Sequence, residues 1–386
     1  MRDTSPQRPL VDVGLLAAIT VLVVGQMYVV IPLFTSMGAE FGHAAADLVI
    51  ASTAFGIPYA FAGLIAGPLA DAWGAKKVIV LSLATTALTT FAVAFAQGYW
   101  TLAILRGLQG VTAGFLSAPS FAYIARDLDE DIRSFATTAI MAAAMSSAVI
   151  MQLFGQYVEN VFGWHFAFAI VAPLIIVAML ATRRSLRGGD ESSQPRIRDA
   201  IFALPVLLKR PRLICLYATA FTLLGGFVAV LAGVELYGPE DLRSNPAKLL
   251  LLRAAALPVM VAVPFIALRL SNVATTIRII AGLGLAAIAL ILSAIGGAGF
   301  AALSIGLALC VAGVLIAAPA VVQSVGQAVP ESSGAAISLY TFAIFIGASL
   351  GPQLSVLLTP FGITGLLWGV AAIFVGGAAL GAWGSR

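Results

Sequence analysis

Long apolar stretches with few charges recur from one end of this chain to the other. Of its 386 residues, 61% are hydrophobic and 10% are charged. A soluble domain is about 45–50% apolar and about 25% charged, so a water-soluble fold could not cover this much apolar surface. The stretches reach the roughly 20 residues that a membrane helix needs, and they lack the alternation of membrane strands. The pattern therefore predicts an all-α membrane protein.

Charges and Gly/Pro breaks divide the apolar stretches into twelve predicted spans. They lie near 11–36, 46–70, 77–96, 99–124, 134–157, 163–182, 211–237, 246–268, 275–296, 299–322, 333–357 and 363–383. Residues 184–210 contain the longest polar stretch, which predicts a cytoplasmic linker. We therefore expect two pseudo-symmetric six-helix bundles, residues 1–183 and 211–386, with a site between them at mid-membrane.

The placement of lysine and arginine predicts the orientation. If the N-terminus is cytoplasmic, all 21 basic residues except Arg106, Arg243, Lys248 and Arg253 fall on the inner side. Cytoplasmic loops carry an excess of Lys and Arg. We therefore expect both termini in the cytoplasm of a multi-pass protein in the cell's inner or plasma membrane.

The connection between the second and third predicted spans reads Gly67-Pro-Leu-Ala-Asp71-Ala-Trp-Gly74-Ala-Lys76-Lys77. Gly67 permits close helix packing, Gly74 permits a tight turn, and the lysines hold the loop inside. The stretch resembles the loop 2–3 motif of the major facilitator superfamily. The resemblance implies a twelve-span transporter with two six-helix bundles, and the alternative is an ordinary positive-inside turn.

The family pattern also implies ion pairs between this loop and the connection after the fourth span. There, Asp127 and Arg133 provide an acid and an arginine. We expect Asp71 to pair with Arg133, and Asp127 to pair with Lys76 or Lys77, as an inner gate. Exposed pairs are worth only about 0–1 kcal/mol each, which suits a latch that opens in every cycle. The alternative is a set of solvated surface charges.

The fourth predicted span carries Arg106-Gly107-Leu-Gln109-Gly110. A guanidinium inside a membrane span costs at least about 2.5 kcal/mol, so it should face a polar cavity or a partner. The run resembles the span-4 motif of proton-coupled drug antiporters in the same superfamily, which implies a role for Arg106 in proton coupling. Two alternatives are that Arg106 snorkels to the outer interface or that it serves a structural hydrogen-bond network.

The chain also departs from the antiporter pattern. The predicted span 5 has Gln152 in a region where the antiporters carry a Gly-Pro and paired glycines, and Gly347-Ala-Ser-Leu-Gly351-Pro352 in span 11 resembles the missing element. Gln26 stands mid-span 1, where many relatives have an acid, and it cannot take up a proton. These departures weaken the specific expectation of proton-driven export without affecting the fold.

Few residues are candidates for the central cavity. Glu235 and Arg253 are the remaining charged candidates, and they could pair or could lie at the interface. An apolar pocket could be lined by aromatic side chains and one amide, although packing against lipid or core is the alternative for each: Tyr28, Phe55, Tyr59, Phe115, Tyr123, Phe221, Phe227, Tyr340, Phe345 and Gln152.

These features predict a proton-coupled exporter of small amphipathic or hydrophobic compounds that works by alternating access. One alternative is an importer or facilitator of a small metabolite on the same fold, and another is a non-transporting membrane sensor or scaffold. No Walker loop, dinucleotide-binding or metal-ligand pattern appears, so we expect no enzyme activity, cofactor or metal. The expected partners are a small-molecule substrate, protons and the lipid bilayer, without nucleic acid, and the expected state is a monomer.

Overall fold

The computed structural model describes residues 7–186, 207–260, 262, 273–329 and 333–386. Within these ranges the structure is helical, without a β-strand. The α-helices before the predicted linker are α1 (Gln7–Val24), α2 (Phe34–Phe41), α3 (Ile50–Trp73), α4 (Ala75–Val93), α5 (Tyr99–Gly114), α6 (Ser117–Asp127), α7 (Glu130–Phe162) and α8 (Trp164–Ser185). Those after it are α9 (Pro211–Tyr237), α10 (Glu240–Arg243), α11 (Pro246–Ala254), α12 (Thr275–Ile295), α13 (Phe300–Ala328), α14 (Ser333–Leu357) and α15 (Gly362–Gly384). Most of the predicted linker, residues 187–206, lies outside the described residues.

Ten helical segments in the described ranges are long and apolar enough to cross a membrane. They coincide with ten of the twelve predicted spans. The span predicted at 99–124 is not among these ten segments, because its helix breaks at residues 115–116, between α5 and α6. The span predicted at 246–268 is represented by α11, and residues 261 and 263–268 lie outside the described part.

Large apolar side chains cover the outside of the helices. Leu88, Ile104 and Ile295 are 70%, 64% and 69% exposed, respectively. A soluble monomer rarely exposes large apolar patches, whereas a bilayer is the solvent that suits them. The chain is therefore a multi-pass membrane protein.

The first predicted span is not one continuous helix. α1 ends at Val24, and two short 3-10 turns, Gly25–Met27 and Ile31–Leu33, separate it from α2. Pro32 has no N–H to donate, and the backbone N–H groups of Tyr28 and Val29 both reach the Gly25 carbonyl. This break leaves carbonyl groups near the middle of the span without helical partners.

Glycines allow the closest helix contacts. A Cβ at Gly347 would overlap the Phe221 carbonyl, and one at Gly351 would lie 2.8 Å from the Gly225 carbonyl oxygen. The glycine pair of span 11 therefore packs α14 tightly against α9. At Gly74 a positive φ of 85° connects α3 directly to α4, which confirms the predicted tight turn.

Among the described residues, three pairs of elements form the most extensive contacts between the two halves of the chain. α3 packs against α14, α7 packs against α11, and α9 packs against the 3-10 turn Ile31–Leu33. At the first contact, Thr53 Oγ1 donates to the Ser349 carbonyl at 2.9 Å, and Gln353 Nε2 donates to Thr53 Oγ1 at 3.2 Å. Polar side chains thus join the halves at the end of α3 that begins with Ile50.

Candidate functional site

Arg106 is fully buried in α5, and it donates three hydrogen bonds. Its Nε reaches the Ala51 carbonyl at 3.0 Å, Nη1 reaches Gln109 Oε1 at 2.6 Å, and Nη2 reaches the Gln26 carbonyl at 2.8 Å. The expectation that it faces polar partners is confirmed. Of the two alternatives, snorkelling to the interface is wrong because the side chain has no exposed surface.

The break in the first span explains why a carbonyl is free to accept from Arg106. Gln26 lies in the 3-10 turn directly after α1, so its carbonyl is among those released from the helical ladder. The C-terminal end of a helix also carries partial negative charge, which favours a nearby guanidinium. The helix break in the first span and the buried arginine therefore stabilise each other.

Gln109 connects the same network to a third helix. Its Nε2 donates to Thr90 Oγ1 at 2.7 Å and to Gln26 Oε1 at 3.1 Å. Gln109 thus contacts Arg106 through its side chain and Gln26 through its main-chain carbonyl, and Thr90 was not predicted. A buried polar network of this kind is favourable only when its members are satisfied, as they are here.

No carboxylate in the described part of the chain forms an ion pair with Arg106. The faces of two aromatic rings contribute instead, with the guanidinium carbon 4.5 Å from the centre of the Phe55 ring and 5.8 Å from that of Phe168. Carbonyl dipoles and ring quadrupoles therefore balance the charge. The arrangement leaves Arg106 as a fixed positive centre inside the first half of the chain.

A second charged group lies where the two halves meet. Arg253 Nη2 donates to Glu235 Oε2 at 2.5 Å, and both side chains are at least nine-tenths buried. Arg253 Nη1 also donates to Gln156 Oε1, and Gln156 Nε2 donates to the Pro246 carbonyl at 2.8 Å. Of the two alternatives left open for Glu235 and Arg253, the structure has the buried pair, and Gln156 ties it to α7.

The loop motif pairs differently from the prediction. Asp71 forms its ion pair with Arg126, and Arg133 Nε donates to the Leu128 carbonyl at 3.0 Å. The expected Asp71–Arg133 pair is therefore wrong. Arg126 is in the last turn of α6, which brings it to the end of α3, whereas Arg133 already belongs to α7. The pairing of Asp127 with Lys76 or Lys77 stays a prediction.

The glycine at the start of the motif has more room than expected. A methyl group at Gly67 would meet the Ala118 side chain at an ordinary contact distance of 3.8 Å. The structure therefore does not require glycine at this position. Lys76 and Lys77 lie in the first turn of α4, which begins with Ala75 directly after Gly74.

Aromatic rings meet across the interface between α3 and α14. The Tyr59 ring packs edge-on against Phe345 with centroids 4.7 Å apart, and it stacks beside Phe55 at 5.7 Å. The Tyr59 hydroxyl lies 2.7 Å from Ser117 Oγ. Phe61 and Phe342 form a further ring pair at 5.0 Å, which sequence reasoning missed.

The other candidate lining residues are scattered. Buried members are Tyr28, Tyr123, Gln152, Phe227 and Tyr340. Phe115 is half-buried at the break between α5 and α6, and Phe221 is 37% exposed. Gln152 Nε2 donates to the Ala148 carbonyl, while its Oε1 is buried without a hydrogen-bond partner in the described residues.

Sequence reasoning also missed a buried acid near the start of α1. Asp12 is 4% exposed, and it accepts hydrogen bonds from the Tyr123 hydroxyl at 3.1 Å and from Ser185 Oγ. It joins α1 to α6 and to the end of α8. The signal was available: it is the single acid in the first predicted span.

Comparisons with known proteins agree with the geometry. The profile described as Major Facilitator Superfamily matches residues 16–352. The chain is 26% identical over 212 residues to the "Uncharacterized MFS-type transporter YybF" of Bacillus subtilis, covering 53% of this chain and 51% of that protein. It is 31% identical over 173 residues to "Multidrug resistance protein MdtG" of Proteus mirabilis, covering 43% and 42%.

A third relative is the "Multi-drug resistance efflux pump PmrA homolog" of Lactococcus lactis, 33% identical over 132 residues. That match covers 33% of this chain and 32% of the relative. The chain thus spans about half or less of the length of the curated relatives it matches.

Proposed function

This chain belongs to the Major Facilitator Superfamily, and from that premise we propose that it exports small amphipathic or hydrophobic compounds in exchange for protons. Two relatives carry names that describe multidrug resistance or efflux. The observation that carries the proposal is the make-up of the interface between the halves. Rings such as Tyr59 and Phe345 meet there beside neutral amides, and the ion pair described at this interface is Glu235–Arg253.

The proposed architecture has twelve spans in two six-helix bundles, residues 1–183 and 211–386, joined by the linker 184–210. Ten spans stand as long helical segments. We assign the fourth to α5 with α6, and the eighth to the stretch that begins with α11. Both termini lie in the cytoplasm, so the ends of α7 and α9 that carry Phe162 and Tyr237 face outward.

In this arrangement the polar contacts described between the halves lie toward the outer side, whereas the ring pairs Tyr59–Phe345 and Phe61–Phe342 lie near the middle of α3 and α14. Transport requires them to separate while a contact on the inner side forms, as in alternating access. Asp71–Arg126 joins α3 to α6 within the first half, and it is the proposed inner latch that holds these two helix ends together until the halves move. It is half-exposed and therefore weak enough to break in each cycle. Arg106, with Gln109 and Gln26, holds the break in the first span in position during this movement.

The cavity residues favour amphipathic cargo. Aromatic side chains offer large apolar surfaces, and Gln152 Oε1 offers an unused hydrogen-bond acceptor. Sugars or dicarboxylates need several polar or cationic groups, which the predicted lining set does not supply. The proposal includes a single substrate site used by a monomer in the inner membrane.

The test is transport by purified protein in liposomes that contain a fluorescent hydrophobic dye. An inward proton gradient is expected to drive the dye out of the liposomes. An ionophore that collapses the gradient should abolish this export. Tyr59→Ala should weaken transport, whereas the matched change at a lipid-exposed ring, Phe95→Ala, should not. Transport that ignores the gradient would contradict the coupling.

A second candidate function is an importer or facilitator of a small metabolite. Gln26, which cannot take a proton, and Gln152, in the region where antiporters carry Gly-Pro, favour it. Accumulation of a defined polar solute without dye transport would decide for this candidate. A non-transporting sensor or scaffold would show neither activity.

A further inference from the structure

Gly56 in α3 lies directly against Ser349 in α14, across the boundary between the two halves. A Cβ atom at Gly56 would lie 1.8 Å from Ser349 Oγ, 2.7 Å from its Cβ and 3.2 Å from its Cα. Non-bonded carbon atoms are attracted best at about 3.5–4.0 Å, so the first two distances are severe overlaps. Ser349 therefore occupies the space that a side chain at position 56 would need.

This contact differs from the other tight glycine contacts in the described part of the chain. At Gly110, Gly155, Gly347 and Gly351, the atoms that a Cβ would overlap belong to the same half as the glycine. Among the described glycines, Gly56 is the one whose Cβ would have its nearest neighbours in the opposite half. Contacts within a half persist when the halves move as rigid bodies, whereas the contact at Gly56 has to form and break.

We propose that the missing side chain at Gly56 allows the outer side to close, and that its fit against Ser349 sets how readily the closed arrangement forms. The proposal rests on the proposed function, because it takes over the orientation and the alternating access given there. Gly56 lies about two turns from the outer end of α3, which begins with Ile50. The contact is thus nearer to the outer surface than the Tyr59–Phe345 ring pair, and it separates when the outer side opens.

The Ser349 side chain cannot turn aside to admit a larger residue at position 56. Its Oγ donates to the Phe345 carbonyl at 2.6 Å, and the residue is fully buried. A different rotamer would move Oγ but leave Ser349 Cβ and Cα in place, because the backbone of α14 fixes both atoms. An added methyl group must therefore push α3 and α14 apart.

The polar bonds beside Gly56 suit a contact that opens. Thr53 Oγ1 donates to the Ser349 carbonyl, and it also lies 3.4 Å from the Val49 carbonyl of its own helix. Gln353 Nε2 reaches Thr53 Oγ1 at the same crossing. When the helices separate, Thr53 keeps the Val49 acceptor and water can solvate Gln353. Opening therefore leaves neither side chain buried without a partner.

The substitution Gly56→Ala should act on the equilibrium between the two arrangements. The closed arrangement has no room for the methyl group, whereas the open arrangement moves Ser349 away from it. Overpacking one of two states by a contact of this kind shifts their equilibrium by at least about fivefold. We therefore expect the outer side of Gly56→Ala to be open for a larger fraction of the time.

The experiment measures the distance across the outer side in lipid nanodiscs without substrate. Spin labels are attached at Ala44→Cys, before α3, and at Leu357→Cys, the last residue of α14, which are two exposed positions. Cys215→Ser and Cys310→Ala first remove the native thiols. In Gly56→Ala the ratio of long-distance to short-distance populations should rise at least about fivefold.

Gly63→Ala is the matched control, since it makes the same change in the same helix. The nearest atom to a Cβ at Gly63 is the Gly114 carbonyl oxygen, at an ordinary contact distance of 3.9 Å. This variant should leave the ratio unchanged. Equal shifts in Gly56→Ala and Gly63→Ala would overturn the proposal, because they would then come from the change in helix propensity that the two variants share.

Substitutions at Ser349 test the contact itself. Ser349→Gly removes the two nearest atoms, so Gly56→Ala with Ser349→Gly should recover most of the short-distance population. Ser349→Ala keeps the Cβ at 2.7 Å, so Gly56→Ala with Ser349→Ala should recover little. Equal recovery in the two double variants would overturn the proposal, as would an unaltered ratio in Gly56→Ala. Loss of the monodisperse fraction of Gly56→Ala would also overturn it, because the open arrangement would then lack room for the methyl group.

The result is separable from the proposed function. The distances report closure of the outer side whether or not a substrate moves. If dye export depends on the proton gradient and the distances in Gly56→Ala do not change, this inference fails while the proposed function stands. If the distances respond as expected but dye is not exported, the proposed function fails while the role of Gly56 in closure stands.

Discussion

Arg106 Nη2 donates to the main-chain carbonyl of Gln26 at 2.8 Å, so a guanidinium in α5 occupies the position where the first span loses its helical hydrogen bonds. The same side chain reaches the Ala51 carbonyl near the start of α3. One residue therefore holds three predicted spans together. Its role in positioning follows from these contacts, whatever part it has in proton coupling.

Replacing Arg106 should destabilise the protein strongly. Arg106→Met keeps an apolar stem but leaves the Gln26 carbonyl and the Gln109 oxygen without their donor, and each unsatisfied buried group costs about 1–3 kcal/mol. We expect Arg106→Lys to recover little, because one ammonium cannot match the planar guanidinium. Thermal unfolding in detergent, followed by tryptophan fluorescence, measures the loss.

The control for this prediction is an arginine with no such contacts. Arg184 is exposed in the last turn of α8, so Arg184→Met should change the free energy of unfolding by about 0.5 kcal/mol or less. Equal stability of Arg106→Met and Arg184→Met would contradict the network.

The inner latch should depend on Arg126 and not on Arg133. Arg126→Gln removes the partner of Asp71, so it should raise the reactivity of a cysteine reporter on the inner face with little loss of stability, since an exposed pair contributes about 0–1 kcal/mol. Arg133→Gln removes a bond to the Leu128 carbonyl and should leave the reporter unchanged. The rate of thiol labelling in membranes measures both, and an effect of Arg133→Gln equal to that of Arg126→Gln would contradict the assignment.

Close packing of α14 on α9 should not tolerate a side chain at Gly347. Gly347→Val places carbon atoms where the Phe221 main chain lies, so the helices must separate along their length. We expect little folded protein, measured as the monodisperse fraction after extraction. Gly284→Ala is the control, because nothing lies within 4 Å of a Cβ at that position in α12. Normal yield of Gly347→Val would show that the packing can adjust.

The positions of most helices could be predicted because apolar length and charge placement act locally along the chain. Gly74 is an example: the turn needs a positive φ that favours glycine, and the glycine is visible in the sequence itself. Breaks were harder. The first span and the fourth remain apolar through Gly25 and Phe115, so hydropathy does not register the change from helix to 3-10 turn.

Pairings across the structure depend on geometry that spacing does not encode. Asp71 meets Arg126 because α6 ends beside α3, and a sequence motif alone could not separate Arg126 from Arg133. Asp12 escaped notice because an acid at the start of a span is usually a surface residue. Its burial depends on hydroxyl donors from Tyr123 and Ser185, more than 100 residues away.

The Glu235–Arg253 pair should show strong coupling in a double-mutant cycle. Arg253→Met leaves the Glu235 carboxylate buried without its cation, which should cost about 3–5 kcal/mol, and Glu235→Gln leaves the guanidinium with a weaker acceptor. The double variant removes both charges, so we expect it to recover much of the stability lost in Arg253→Met. Thermal unfolding of the four proteins gives the coupling free energy. Lys248 and Asp241, an exposed pair at the same end, provide the matched cycle, and their coupling should stay below about 1 kcal/mol. Equal coupling in the two cycles would mean that Glu235 and Arg253 are solvated in the membrane, contrary to their burial.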